Sequence, residues 1–201
     1  MADILYTYKN GVYLNITNKC PCRCTFCIRS MGDGLGSAES LWLKGDPSLE
    51  EIIASIDAFD FTGYSEIIFC GYGEPTCALD NMIATCEHIR TTHPSLKIRL
   101  NTNGLSDLIN KKPTAKIICD HIDSISISLN ASNAESYNAV TRPSFGPAAF
   151  DAMIAFTKEC KQYMSEIKLS VVDTISTEEI EASKAVAAEL GIPLRVRNYG
   201  E

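Results

Sequence analysis

An alternation of short apolar runs with amphipathic segments constrains this chain more than any other feature. Runs of strand length recur at 11–17, 65–70, 97–101, 123–129, 166–172 and 192–198. The stretches between them carry helix punctuation. Ser48 with Glu51 forms a capping box ahead of "LEEIIASIDAF", and Ser176 with Glu179 forms another ahead of "TEEIEASKAVAAEL", which Gly191 and Pro193 stop. Asp80 suits a cap for "NMIATCEHIR", and Pro147 suits the first turn of "AAFDAMIAFTKECKQYM". Strand and helix in regular succession imply parallel strands joined by right-handed crossovers, with helices covering the sheet.

Six such units predict an α/β fold, a partial (β/α)6 TIM-like barrel of parallel strands, as a single domain over residues 1–201. Six units curl without closing the eight-stranded barrel, and 201 residues suffice to bury one substantial core. In such sheets the ligand site lies at the carboxyl ends of the strands. Chemistry is therefore sought just after each strand: in a cysteine-rich loop after the first, "GYGEPT" (71–76) after the second, "NTNG" (101–104) after the third and "NAS" (130–132) after the fourth. One segment, 29–48, is glycine-rich and without helical or strand period, and is longer than a βα connection needs. Joined to the cysteine loop and holding the only tryptophan, Trp42, it reads as a lid or substrate-facing element.

No apolar stretch is long enough to span a membrane and the first residues lack the pattern of a secretory signal, which predicts a cytoplasmic protein. In that reducing compartment nine cysteines do not make a disulfide framework. Cys70, Cys77, Cys86, Cys119 and Cys160 are scattered and read as small buried hydrophobes. The net charge of −7, without a block of Lys or Arg, gives nucleic acid binding no support. Arg195 and Arg197, two apart, share one face of the last strand and read as a solvated strand face. His88, His93 and His121 fall in or beside helices, away from the carboxyl-end site.

The stretch "NITNKCPCRCTFCIR" (15–29) packs Cys20, Cys22, Cys24 and Cys27 into eight residues. Three readings fit. Four thiolates would suit a structural zinc or an electron-transfer iron–sulfur module, although zinc cages are usually two separated knuckles, and Pro21 limits how Cys20 and Cys22 converge. Cys24 and Cys27 alone form the CxxC of a thiol oxidoreductase. The third takes Cys20, Cys24 and Cys27 as ligands of a [4Fe–4S] cluster, with Cys22 aside, leaving one iron open to a small molecule.

The spacing C-x3-C-x2-C with Phe26 before the last cysteine resembles the defining motif of the radical SAM superfamily. "GYGEPT" is similar to its Gly-Gly-Glu motif, which binds the methionine amino group of S-adenosylmethionine (SAM), with Gly73 and Glu74 at the matching positions and Tyr72 departing from the first glycine. Within "SISISLNAS", Ser128 and Asn130 lie where that superfamily contacts the SAM ribose. Arg142, in "ESYNAVTRPSFGPAAFDAMIAF", matches a recurrent arginine that either pairs with the SAM carboxylate or caps a helix. Adenine contacts are expected only from the backbone around Phe26. The run "FCIR...GDG...LWL" further resembles the radical SAM proteins associated with TatD-type nucleases, a subgroup that brings no known substrate.

The resemblance implies an oxygen-sensitive enzyme with Cys20, Cys24 and Cys27 on the cluster. Reductive cleavage of SAM would give methionine and a 5′-deoxyadenosyl radical that abstracts hydrogen from substrate. It also implies an electron donor of flavodoxin or ferredoxin type. With the chain ending just after its sixth strand, the barrel mouth is expected to be broad, which favours a macromolecular substrate or a small one enclosed by 29–48 or a partner.

Overall fold

Seven strands form one sheet, in chain order, in the computed structural model, which describes residues 3–199. They are β1 (Leu5–Tyr8), β2 (Gly11–Leu14), β3 (Glu66–Phe69), β4 (Lys97–Thr102), β5 (Ser124–Ser128), β6 (Ile167–Val172) and β7 (Leu194–Arg197). Strands β2 to β7 run parallel, as the alternation predicts. The addition is β1, antiparallel to β2 across a tip at Lys9 and Asn10. It escapes the sequence reading because Lys9, at φ 50°, takes a left-handed conformation that lysine does not signal, while Gly11 already pairs with Tyr8 as the first residue of β2.

Because neighbours in the sheet are neighbours in sequence, right-handed crossovers put every connecting helix on the same side. These helices are α1 (Leu49–Asp57), α2 (Leu79–Thr92), α3 (Ser106–Asn110), α4 (Ala115–His121), α5 (Ala134–Thr141), α6 (Ala148–Tyr163) and α7 (Thr177–Leu190). The strand residues facing them, among them Leu14, Phe69, Leu100, Ile127 and Leu169, share one core with Met82, Ile118, Met153 and Phe156. Each such leucine or isoleucine side chain contributes about 1.5–3 kcal/mol of burial free energy. The opposite, concave face has no helices. It carries Tyr13, Arg99, Asn101, Ser126, Ser128 and Lys168, each half-buried. The alternating serines of β5, out of place in a strand covered on both faces, line this partly open lumen.

Local signals set the helix ends with small shifts. Ser48 and Glu51 make the reciprocal capping box of α1. Ser176 caps α7 through Glu179 N, but the Glu179 carboxylate turns instead to Ser132 N (2.6 Å), tying α7 to the loop after β5. Asp80 sits in the first turn of α2, one residue past its start, and Pro147 occupies the N-cap position of α6. The first predicted strand is shorter than expected: pairing stops at Leu14, leaving Asn15 and Thr17 buried as polar brackets. Two of the histidines bond locally, His88 to Asp57 (2.7 Å) and His121 to Ile117 O (2.7 Å), while His93 lies against Phe61. Among the described residues no helix is long and apolar enough to cross a membrane.

Residues 29–48 run along the free edge of β1. Ser37 N donates to Thr7 O (2.8 Å) while Thr7 N donates to Ser37 Oγ (2.8 Å), and Asp3 N donates to Ser40 O (2.9 Å). Asn15 and Asn18 side chains donate to Leu41 O (2.8 Å) and Leu43 O (2.7 Å). The segment thus covers a sheet edge that would otherwise expose unpaired backbone groups.

Candidate cofactor site

The loop after β2 carries the four cysteines across the carboxyl ends of the strands, and its backbone is braced by distant segments. Glu74 N donates to Lys19 O (2.8 Å), Arg23 N to Thr141 O (2.9 Å), Thr25 N to Val140 O (2.9 Å) and Ser144 N to Pro21 O (2.8 Å). Val140 and Thr141 offer end-of-helix carbonyls of α5, which lack partners within the helix. Arg142 makes them available by closing α5 in the left-handed region, at φ 46°. Its side chain is exposed and outside the cleft lining, so the helix-end role is the one its position serves. Arg29 completes the bracing. Its guanidinium donates to Asn18 O (2.8 Å) and lies 4.6 Å from the centre of the Trp42 ring.

All four cysteines line a cleft of about 190 Å³, together with Phe26, Gly73, Glu74, Ser128 and Asn130. Five of the six residues predicted to contact SAM are thus gathered with the cysteines, and Arg142 is not. Cys22 differs from the other three: it is buried in the main core, whereas Cys20, Cys24 and Cys27 are half-exposed. Hydrogen bonding to the sulfurs of Cys20 and Cys24, with burial, pushes the Cys22 thiol up. The bond from Cys22 pulls Cys20 and Cys24 down, and burial pushes Cys27 up. Among the described residues no three Cys, His, Asp or Glu side chains are gathered as a single metal ion requires.

Glu74 is 4% exposed and lies behind the cleft. Its Oε1 accepts from Thr76 N (3.2 Å), Thr76 Oγ1 (2.9 Å) and Thr102 Oγ1 (2.7 Å), and its Oε2 from Asn103 N (2.7 Å). Burial pushes the carboxyl above the ordinary carboxylate range, against the pull of these four donors. The "NTNG" loop therefore orients Glu74, a role the sequence signals only by placing that loop after a strand. Across the cleft Asn130, 4% exposed and in the left-handed region at φ 61°, has an Oδ1 atom with no hydrogen-bond partner. A buried acceptor of this kind costs free energy unless a ligand donor meets it.

The glycines of "GYGEPT" answer to packing. A Cβ on Gly73 would lie 2.1 Å from Thr17 O and 2.8 Å from Lys19 O, and one on Gly71 would lie 2.2 Å from Asn15 Oδ1. Both let the β3 loop lie flat on the root of the cysteine loop. Tyr72, which departs from the family glycine, is 4% exposed, lines the cleft and reaches residues 29–48. Its hydroxyl donates to Gly32 O and its ring lies 5.0 Å from that of Trp42. The departure thus anchors the long segment, while Gly73 and Glu74 keep their places in the cleft lining.

The family model described as "Radical SAM superfamily" matches residues 14–184. The chain belongs to the radical SAM superfamily. Members of that superfamily use a [4Fe–4S] cluster and SAM, and the cleft fits both by its thiol donors, its buried carboxylate and the unpartnered Asn130 Oδ1. A GTP 3′,8-cyclase of Lactiplantibacillus plantarum is 26% identical over 170 residues, covering 85% of this chain and 46% of that protein. The chain spans less than half the length of the curated radical SAM relatives it matches. In fold it resembles Streptococcus suis SuiB bound to its precursor peptide SuiA, with a TM-score of 0.70, 21% identity and coverage of 98% of this chain and 41% of SuiB. It also resembles native anSMEcpe with bound SAM, with a TM-score of 0.66, 20% identity and coverage of 93% and 50%.

Proposed function

We propose that this chain is the SAM-cleaving core of a radical SAM enzyme, with Cys20, Cys24 and Cys27 holding the cluster and Cys22 standing aside. When bound, the cluster and SAM together supply reductive cleavage of a C–S bond and hydrogen abstraction. The residues of the chain bind and orient. Glu74, fixed by Thr76, Thr102 and Asn103, takes the SAM ammonium, and Ser128 and Asn130 take the ribose hydroxyls. Phe26 covers the adenine side. Residues 29–48, tied along β1, act as a fixed wall that excludes water. The reading is supported by the meeting, in one cleft, of three half-exposed thiols with a buried carboxylate held by four donors. A one-electron donor of flavodoxin or ferredoxin type completes it, and the open concave face admits a macromolecular substrate such as the peptide bound by SuiB.

Anaerobic reconstitution tests the reading. Iron and sulfide near four per chain, with 5′-deoxyadenosine released from SAM by dithionite, is the expected result. Stoichiometric zinc without SAM cleavage would overturn it.

Glu74 gives the binding step a pH dependence. An ammonium beside it favours the carboxylate, so SAM binding lowers a pKa that burial has raised, and a proton leaves on binding. SAM affinity should therefore rise with pH through the raised Glu74 pKa and level off above it. Calorimetry in buffers of differing ionisation enthalpy reads the proton release. A Glu74→Gln variant should show none, and unchanged proton release in that variant would exclude Glu74 as its source.

A further inference from the structure

Asn103 stands between the cysteine loop and the Glu74 carboxylate and donates to both. Its backbone N–H reaches Glu74 Oε2 (2.7 Å), while its side-chain Nδ2 lies 4.0 Å from Cys20 Sγ and 3.9 Å from Cys22 Sγ, at the outer reach of an N–H···S bond. Which end of the amide faces the sulfurs is settled by the local turn. Asn103 Oδ1 accepts from Leu105 N (2.9 Å), two residues on, so the NH2 group is the end left to meet the cysteines. The turn itself is closely packed. Gly104 N donates to Thr102 Oγ1 (3.1 Å), and Gly104, at φ 74°, comes so near Ile127 of β5 and Met153 of α6 that an added Cβ would lie 2.8 Å from each. A seated turn therefore presents the amide to the sulfurs.

Electrostatics give that placement a task. The Glu74 carboxylate opposes the ionisation of Cys20, since both carry negative charge. Asn103 offers an N–H to each of them and adds no charge of its own. A donor aimed at a cysteine sulfur favours the more electron-rich state of the iron bound there, because the bond strengthens as negative charge gathers on the acceptor. We infer that Asn103 is a positioning residue of the SAM-cleaving site: through the Cys20 sulfur its side chain raises the reduction potential of the cluster, while its main chain holds Glu74. The inference rests on the proposed function for a cluster on Cys20, and on the bonds of Asn103 for the rest. One residue thus keys the sulfur that takes iron to the carboxylate that takes the SAM ammonium.

A redox titration of the anaerobically reconstituted chain, followed by electron paramagnetic resonance and run without SAM, is the test. Asn103→Ser keeps an oxygen that can accept from Leu105 N and loses the reach to the sulfurs, with no change of charge. At a fixed poise it should hold about tenfold less reduced cluster relative to oxidised than wild type does, a midpoint about 59 mV more negative. Asn103→Asp keeps the shape, turns an oxygen toward the sulfurs and should fall further. Asn101→Ser is the control: it removes an amide from the same cleft lining, one bonded to Cys70, and should titrate with wild type. A part played only in packing would lower iron content and thermal stability together and leave the midpoint of the assembled fraction unmoved. The inference is overturned if Asn103→Ser titrates with wild type or if Asn101→Ser shifts as far. It is overturned also if Asn103→Ser assembles no cluster at all, which would make the residue a condition of assembly. Iron and sulfide on wild type decide the underlying reading separately. A wild-type chain that assembles no cluster overturns the proposed function, whereas a loaded one with matching midpoints overturns only the role of Asn103.

Discussion

A Cys24→Ser protein is expected to take up little iron and sulfide on reconstitution and to release no measurable 5′-deoxyadenosine, while a Cys22→Ser protein keeps both. The difference follows from where the four sulfurs lie. Cys22 is 7% exposed and packed in the main core, hydrogen-bonded to the sulfurs of Cys20 and Cys24 and with Asn103 Nδ2 at 3.9 Å, so a serine there keeps a donor where the thiol had one. Cys20, Cys24 and Cys27 are half-exposed in the cleft, where a cluster would be reached. Losing a residue behind a metal ligand costs roughly ten- to hundredfold in affinity or activity, and losing a ligand itself should exceed that. Iron and sulfide assays with chromatography of the SAM products decide the matter. Loss of the cluster in Cys22→Ser, with retention in Cys27→Ser, would put the wrong cysteine aside.

Replacing Gly73 by alanine should destabilise the chain by about 3 kcal/mol and empty it of cofactor, although the substitution removes no cysteine and none of the Glu74 donors. The added methyl would lie 2.1 Å from Thr17 O and 2.8 Å from Lys19 O, both backbone atoms that cannot rotate away. Relieving the clash stretches the Glu74 N to Lys19 O bond and lifts the cysteine loop. The sign is diagnostic, because Gly→Ala at an unstrained site stabilises by about 0.4–1 kcal/mol through the unfolded state. Gly45, where an added methyl would meet nothing within 4 Å and φ is not left-handed, supplies the comparison. Urea denaturation should show Gly73→Ala unfolding at a markedly lower midpoint and Gly45→Ala unfolding at or above that of the parent chain.

The parallel sheet and the superfamily were legible because their signals are local. Six apolar runs bounded by caps gave the parallel strands, and C-x3-C-x2-C with "GYGEPT" gave the cysteines, Gly73 and Glu74. The bracing of that site was not legible. Val140 and Thr141 hold the cysteine loop through carbonyls, which every residue possesses, and Asn103 holds Glu74 through its amide N–H. Such bonds are fixed by topology and leave no side-chain trace. Gly73 shows the limit in another way: beside its match to the Gly-Gly-Glu pattern, its missing side chain keeps open the space that Thr17 and Lys19 occupy, which the sequence does not signal. Tyr72 reads as a departure from the family pattern until its burial against Trp42 gives it a structural task. The resemblance to the TatD-associated subgroup rests on the chain length and the run around and after Cys27, and the family match does not reach that far.

The supports of the cysteine loop lie far downstream of the cysteines, at Gly73, at Val140 and Thr141, and at Ser144. During synthesis, at roughly 5–20 residues per second, the thiols leave the ribosome on the order of ten seconds before the carbonyls that dock their loop exist. Until then the loop has no fixed shape to offer a cluster. On the proposed reading, iron–sulfur assembly on this chain would be a late event that waits for α5, with the nascent thiols kept reduced meanwhile. A truncated chain ending before residue 140 would contain all four cysteines of the loop and still lack the carbonyls that hold their backbone.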